Sequence, residues 1–347
     1  MARSSRNRRV ALVIGLGIFV AAMVISLIDA TSFTPSISSS SKGPSTPYVA
    51  PTQSTLVRTT CTFVDTTRST PDLQSANGVL VPSRTLRTEI RYLAGSDIRD
   101  IPLLVFAHGY GVTPDTYNRL LNAWARAGFV VAAPFFPLTT PHGIALEGGL
   151  DTEGDLTNET SDLIFVTREV LAMSRTPDGA CKLPSGLINP AKLVLAGHSD
   201  GANAVAALLD TAVPSPITYS AQLLLEGQKI PNFVYRSHIA VPTLMVQSNG
   251  DTCNLPRTAR SLFRSIPGAD KRYLELKRAH HLPPFSGTDS GAFGTVVAST
   301  TWFLRDSLGI QSAGAPPRLS SEVARLLAPG KLPAVIPPRE PALCSQH

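Results

Sequence analysis

Polar and apolar positions along this chain follow two alternating rhythms. Short runs that are apolar at nearly every position lie at 102–107, 129–133, 192–196 and 241–247. Runs of strand length with no polar face predict strands buried on both sides, as in a parallel sheet covered by helices. Residues 60–66 and 87–93 read as earlier strands, 272–276 as a later one, and 221–225 is a further candidate. Between them the spacing turns helical. Residues 115–127 carry Leu120, Leu121 and Trp124 on one face; 161–174 carry Leu163, Ile164, Val166, Val170 and Leu171; 202–209 are rich in alanine. Strands alternating with helices predict an α/β domain with a mostly parallel central sheet and helices on both faces.

The two ends break this rhythm. Residues 10–28 are uncharged and mostly apolar, and Arg3, Arg6, Arg8 and Arg9 precede them. A stretch of that length approaches the roughly 30 Å of a hydrocarbon core, and the basic flank keeps the N-terminus cytoplasmic. We therefore expect a basic flank over 1–9, an uncleaved transmembrane signal anchor over 10–28, and a catalytic domain outside the cytoplasm. The alternative is a cleaved signal and a secreted protein, although Ser26-Leu27-Ile28-Asp29-Ala30 is a poor cleavage site. Residues 29–55 are a Ser/Thr/Pro-rich spacer, 56–310 the catalytic domain and 311–347 a Pro-rich tail with one short apolar helix.

Composition narrows the classes further. With 43% hydrophobic and 16% charged residues the chain is not disordered throughout. The net charge is +6, but the four N-terminal arginines supply most of it. No basic stripe with interleaved aromatics follows, so no nucleic-acid partner is expected. Cys61, Cys181, Cys253 and Cys344 lie far apart with no C-x-x-C pair, which argues against a zinc or thioredoxin-like site. An even number in an exported chain suggests two disulfides, in any of three pairings. The acidic residues Asp151, Glu153, Asp155, Glu159 and Asp162 read as a solvated loop leading into a helix.

The chemistry centres on Gly197-His198-Ser199-Asp200-Gly201, between the strand 192–196 and the helix 202–209. A G-x-S-x-G turn from strand to helix is a nucleophile elbow, and makes Ser199 the candidate nucleophile. Its glycines are read as relief from crowding, since a Cβ on either would meet the neighbouring strand or helix. A serine hydroxyl needs a base, and in this architecture the order is Ser, acid, His. His280 and His281 follow the last strand; His281 is preferred and His280 is the alternative. Asp251, at the C-terminal end of 241–247, is the preferred acid, and Glu226, at the end of 221–225, is the runner-up. The oxyanion is assigned to the amides of Asp200 and of Tyr110, in the loop His108-Gly109-Tyr110-Gly111.

These motifs, with Val64-Asp65-Thr66-Thr67-Arg68, Asp155-Leu-Thr-Asn158 and Asp162, resemble the α/β-hydrolase superfamily over about residues 61–308. More narrowly they resemble the exported esterases that are platelet-activating-factor acetylhydrolase-like, chlorophyllase-like, or cutinase- and polyester-hydrolase-like. The resemblance implies an α/β-hydrolase fold and hydrolysis of carboxylic esters (lipid, short-acyl or polyester-like) through an acyl-enzyme. It implies no cofactor and no metal. The expected partners are the ester substrate and the membrane, with the chain acting as a monomer. A peptidase or acyltransferase on the same triad, and a non-catalytic envelope binding protein on the same fold, are the alternatives.

Overall fold

The computed structural model describes residues 54–71, 80–95, 98–146, 155–176, 181, 183–210, 215–230 and 239–310. They belong to the unit 43–347. The unit formed by 1–42 lies outside the described residues, as do residues 43–53 of the spacer, the tail 311–347 and Cys344; the last spacer residue, Thr55, already belongs to the first strand. The expected anchor at 10–28 therefore falls outside them too. Among the described residues no helix is long and apolar enough to cross a membrane.

The strands are β1 (Thr55–Asp65), β2 (Thr70–Pro71), β3 (Leu80–Val81), β4 (Arg84–Ala94), β5 (Ile101–Ala107), β6 (Val130–Pro134), β7 (Ile188–His198), β8 (Ala221–Leu225), β9 (Thr243–Ser248) and β10 (Lys271–Leu276). Eight form one sheet in the order β1-β4-β6-β5-β7-β8-β9-β10, while β2 and β3 pair apart. β1–β4 and β4–β6 are antiparallel; every other neighbouring pair in the sheet is parallel.

Alternate residues of the apolar runs feed two cores, which is why those runs have no polar face. Leu103, Val105, Leu193, Leu195 and Met245 join one core, with Leu163, Val166 and Val170 of α3 (Leu156–Arg175) and the alanines of α4 (Asp200–Leu208). Leu104, Phe106, Val194, Ala196 and Val246 join the other, with Leu120, Leu121 and Trp124 of α1 (Asn118–Arg126) and Phe303 and Leu304 of α7 (Ser290–Ser307). Three further helices are found among the described residues: α2 (Pro141–Leu146), α5 (Pro256–Ser265) and α6 (Pro283–Ser286).

Two local expectations change and one candidate strand is found. The helix foreseen over 115–127 is divided into a 3₁₀ turn, Pro114–Tyr117, and α1; Tyr117 leaves helical geometry at ψ 17° and its ring is fully buried. The strand candidate 221–225 is β8. The acidic segment, where described, is not a solvated loop. Asp162 is fully buried against Arg84, with Nε–Oδ1 and Nη2–Oδ2 distances of 2.7 Å, and Arg68 reaches it at 2.8 Å. Asp155 pairs with Arg84 at 3.1 Å, and the buried Glu159 accepts from the Thr139 hydroxyl at 2.7 Å. Asp155, at the N-cap of α3, and Asp162 are matched by arginines distant in sequence, while Glu159 is buried beside a hydroxyl that carries no opposing charge.

Cys61 on β1 is bonded to Cys181, closing a separation of 120 residues. Cys253 is disulfide-bonded as well. Persistent disulfides belong to oxidising compartments.

Candidate active site

The C-terminal ends of the parallel strands bring the candidate residues to one edge. β7 runs directly into α4, and Ser199 sits between them at φ 56°, ψ −123°, a conformation costly for any residue with a Cβ. Such strain persists only where the surroundings impose it. Here close packing imposes it: a Cβ on Gly197 would overlap the backbone of Gly201 and Ala202, and a Cβ on Gly201 would overlap the carbonyl of Ala107 at the end of β5. The crowding read from the sequence is thus helix against elbow on one side and strand against elbow on the other. The reward is position: Ser199 caps α4, where the helix dipole favours negative charge.

His281 Nε2 lies 2.9 Å from Ser199 Oγ, and His281 Nδ1 lies 2.8 Å from Asp251 Oδ2. The neighbouring His280 points elsewhere, with its Nδ1 3.3 Å from the Gly250 carbonyl. It helps hold the base loop to the acid loop, as do the Gly250 N–H donated to Ala279 O and the Arg278 N–H donated to the Asn249 side chain.

Asp251 is a pure acceptor. Oδ1 takes the N–H groups of Cys253 at 2.8 Å and Asn254 at 3.0 Å; Oδ2 takes His281 and, at 3.1 Å, the Gln247 amide. Burial alone would raise its carboxyl, but the hydrogen bond and charge of His281, the bond with Glu226 and the Asn254 amide outweigh burial and hold it below the usual range. Glu226 does not reach His281. Its Oε1 accepts from the Ser248 N–H at 2.8 Å, its Oε2 is buried with no N–H or O–H donor in reach, and burial with the negative charge of Asp251 raises its carboxyl well above the usual range.

Tyr110 lines the cavity in front of Ser199, with Val112 and Leu282 as further walls. The amides flanking Tyr110 are engaged: Gly109 donates to the Tyr117 hydroxyl at 3.3 Å and Gly111 to Thr139 O at 2.8 Å. Asp200 opens α4 directly after Ser199.

Tyr117 and His198 were not singled out for the site by sequence. The Tyr117 hydroxyl lies 2.8 Å from His198 Nδ1, and His198 Nε2 lies 2.9 Å from the carbonyl of His281. The carbonyl can only accept, so Nε2 carries the proton and Nδ1 accepts from Tyr117. Burial, with the nearby His281, lowers His198 to about 3 and keeps it neutral. His108 is likewise buried and lowered to about 4, and its Nε2 accepts from the Phe136 N–H at 3.0 Å. The signal available was positional: His108 and His198 are polar residues at the end of wholly apolar strands.

Among the described residues, one group has metal-ligand spacing: Asp251, Cys253 and His281, with ligand atoms within 4.8 Å of one another. The sulfur of Cys253 is held in a disulfide, so it offers no thiolate to a metal.

The strand order, the two helix layers and the strained elbow define the α/β-hydrolase fold. Among solved structures, the chain is similar to the ferulic acid esterase from Streptomyces cinnamoneus. The TM-score is 0.56 at 18% identity, over 77% of this chain and 94% of that one. At that identity the likeness is one of fold. No protein-family model and no curated protein matches the chain.

Proposed function

We propose that the chain is a serine hydrolase that cleaves carboxylic esters through an acyl-enzyme. The observation that carries the reading is the continuous line Ser199 Oγ–His281 Nε2 and His281 Nδ1–Asp251 Oδ2, at 2.9 and 2.8 Å, ending on a strained serine at a helix N-terminus. In this mechanism Ser199 Oγ attacks the ester carbonyl while His281 Nε2 takes its proton. The negative oxygen is held by the amides of Tyr110 and Asp200. His281 returns the proton to the departing alcohol. Water then enters and gives a proton to His281 as its oxygen attacks the acyl carbon; the acyl–Oγ bond breaks and His281 returns that proton to Ser199 Oγ. Asp251 holds the imidazole in the productive tautomer and stabilises the imidazolium.

The motifs that resemble the exported esterase branch, the likeness in fold to a ferulic acid esterase and the apolar walls Val112 and Leu282 favour a carboxylic ester as substrate. The Cys61–Cys181 bond supports a domain facing an oxidising compartment, consistent with a signal anchor at 10–28. The test is hydrolysis of p-nitrophenyl acetate together with labelling by a fluorophosphonate. Wild type should turn over the ester and take up one label per chain, and Ser199→Ala should lose both with its thermal midpoint intact. Equal turnover by Ser199→Ala ends the reading. Labelling with turnover of peptides but not esters would instead favour a peptidase.

A further inference from the structure

We propose that Glu226 is a positioning residue: a neutral carboxylic acid that donates its proton to the Asp251 carboxylate and locks the acid loop to the end of β9. The proposal rests on the reading that Asp251 orients His281, and it adds a member to that site.

Proton counting carries the argument. Each oxygen of Asp251 takes two N–H donors. Every one of those partners gives a proton, so Asp251 is an acceptor throughout. Glu226 is fully buried; Oε1 accepts from Ser248, while Oε2 has no donor within reach. Two carboxyl groups hydrogen-bond only when one proton lies between them. With Asp251 committed as the acceptor, that proton belongs to Glu226, and it satisfies the otherwise orphaned oxygen.

The backbone of Glu226 is fastened to the same place. Its N–H donates to Val246 O at 2.9 Å and its carbonyl accepts from the Asn254 side chain. It adopts φ 52°, a left-handed conformation for a residue that is not glycine. A backbone strained at a buried acid, against the loop that carries Asp251, is the sort of strain found where a site imposes it.

The charge environment agrees. Burial, the negative charge of Asp251 and the bond to it push the Glu226 carboxyl well above the usual range, against the opposing pull of Ser248. Tyr273 on β10 also feels Glu226, and it sits beside the ion pair of Arg260 and Glu275. His281 lies on the far side of Asp251. An ionised Glu226 would put a second negative charge behind the His281–Asp251 pair; a neutral one orients Asp251 and leaves the charge of the pair at one.

Two measurements test this. The first needs no activity. The infrared difference spectrum of wild type minus Glu226→Gln at neutral pH should contain the C=O stretch of one buried protonated carboxyl; absence of that band overturns the proposal. Glu159, also raised by burial, is present in both proteins and cancels. The second is ester hydrolysis across pH. Glu226→Ala should lower kcat about tenfold or more with KM little changed, because it removes both a donor to Asp251 and the acceptor of Ser248 N–H. Glu226→Gln keeps an acceptor and a donor in the same places, and should restore most of that loss. It should leave the midpoint of the acidic limb of kcat/KM unmoved, since that limb reports ionisation of the base in the free enzyme. A midpoint shifted to lower pH in Glu226→Gln shows that a negative charge was removed and refutes the neutral acid. A Gln variant as impaired as the Ala variant refutes it too. Loss of the hydrolase reading itself is separable, because wild type would then take up no fluorophosphonate while the infrared band persisted.

Discussion

Asp251→Asn is the sharpest perturbation of the proposed mechanism, because the geometry dictates how the amide must sit. The variant replaces one acceptor oxygen by an NH₂ donor in a place where the four N–H partners of Asp251 all donate. The Cys253 and Asn254 amides are backbone and cannot turn, so the asparagine oxygen must stay on their side. The NH₂ then faces His281 Nδ1 and the Gln247 amide, which is fixed in turn by its 2.8 Å bond to Asn254 O. Two donors cannot share that contact, so His281 gives up its Nδ1 proton and carries it on Nε2. That nitrogen lies 2.9 Å from Ser199 Oγ and now donates where it must accept. A wrong tautomer of this kind costs about 10⁴ in kcat, or about 5.4 kcal/mol of transition-state stabilisation. The assay is kcat for p-nitrophenyl acetate near neutral pH, with the fluorophosphonate labelling rate as a second readout and the thermal midpoint as a control of folding. A folded Asp251→Asn protein within tenfold of wild-type kcat would refute the tautomer argument and the role given to Asp251.

Two other outcomes follow from buried charge. Arg84→Ala strands Asp162, fully buried, with only the Arg68 contact remaining. Removing one partner of a buried pair costs about 3–5 kcal/mol, to be read by urea denaturation, and a loss below about 1 kcal/mol would contradict the burial assigned to that pair. The stability of the wild-type protein carries an acid-sensitive contribution from His198. Its folded value of about 3 lies below the ordinary 6.5, so between those limits the unfolded chain binds more protons and stability falls as pH falls. In His198→Gln the slope of unfolding free energy against pH between about 6.5 and 4 should flatten by up to one proton relative to wild type; identical slopes would show that His198 titrates normally in the fold.

The strands were legible because a sheet covered on both faces requires apolar residues at every position, and 102–107 and 192–196 show that without alternation. The elbow was legible because Gly197 and Gly201 stand where backbone meets backbone, a demand no other residue type satisfies. The polar interior was much less legible. Asp162 finds Arg84 across 78 residues and His198 finds Tyr117 across 81, so each residue shows its type in the sequence but not its partner. For this reason the acidic segment read as solvated, and Tyr117 read as one more residue of a helix. Glu226 was noticed as an acid at the end of a strand, yet its bond to the Ser248 N–H depends on how β8 and β9 lie side by side. A usable rule emerges from His108, His198 and Glu226. A polar residue at the end of a buried, mostly apolar strand is committed to a buried partner, and in a parallel sheet that end is the edge where ligands bind.

The neutral histidine His198 gives this rule a further consequence. The Gly109 amide donates to Tyr117 O, Tyr117 O–H donates to His198 Nδ1, and His198 Nε2–H donates to the carbonyl of His281. These bonds run from the loop after β5, through the elbow after β7, to the loop after β10. They therefore join the three segments that the proposed mechanism needs at fixed distances: those of the proposed oxyanion donor, nucleophile and base. Each segment ends a different strand, and sheet register alone leaves their loops free to drift by fractions of an ångström, enough to matter for a proton transfer over 2.9 Å. A charged His198 would donate from both nitrogens, reverse the contact with Tyr117 and release Gly109. Keeping the ring buried and neutral is thus a condition for the geometry at Ser199, and the desolvation that holds His198 near 3 belongs to the positioning of the site as much as to the packing of the core.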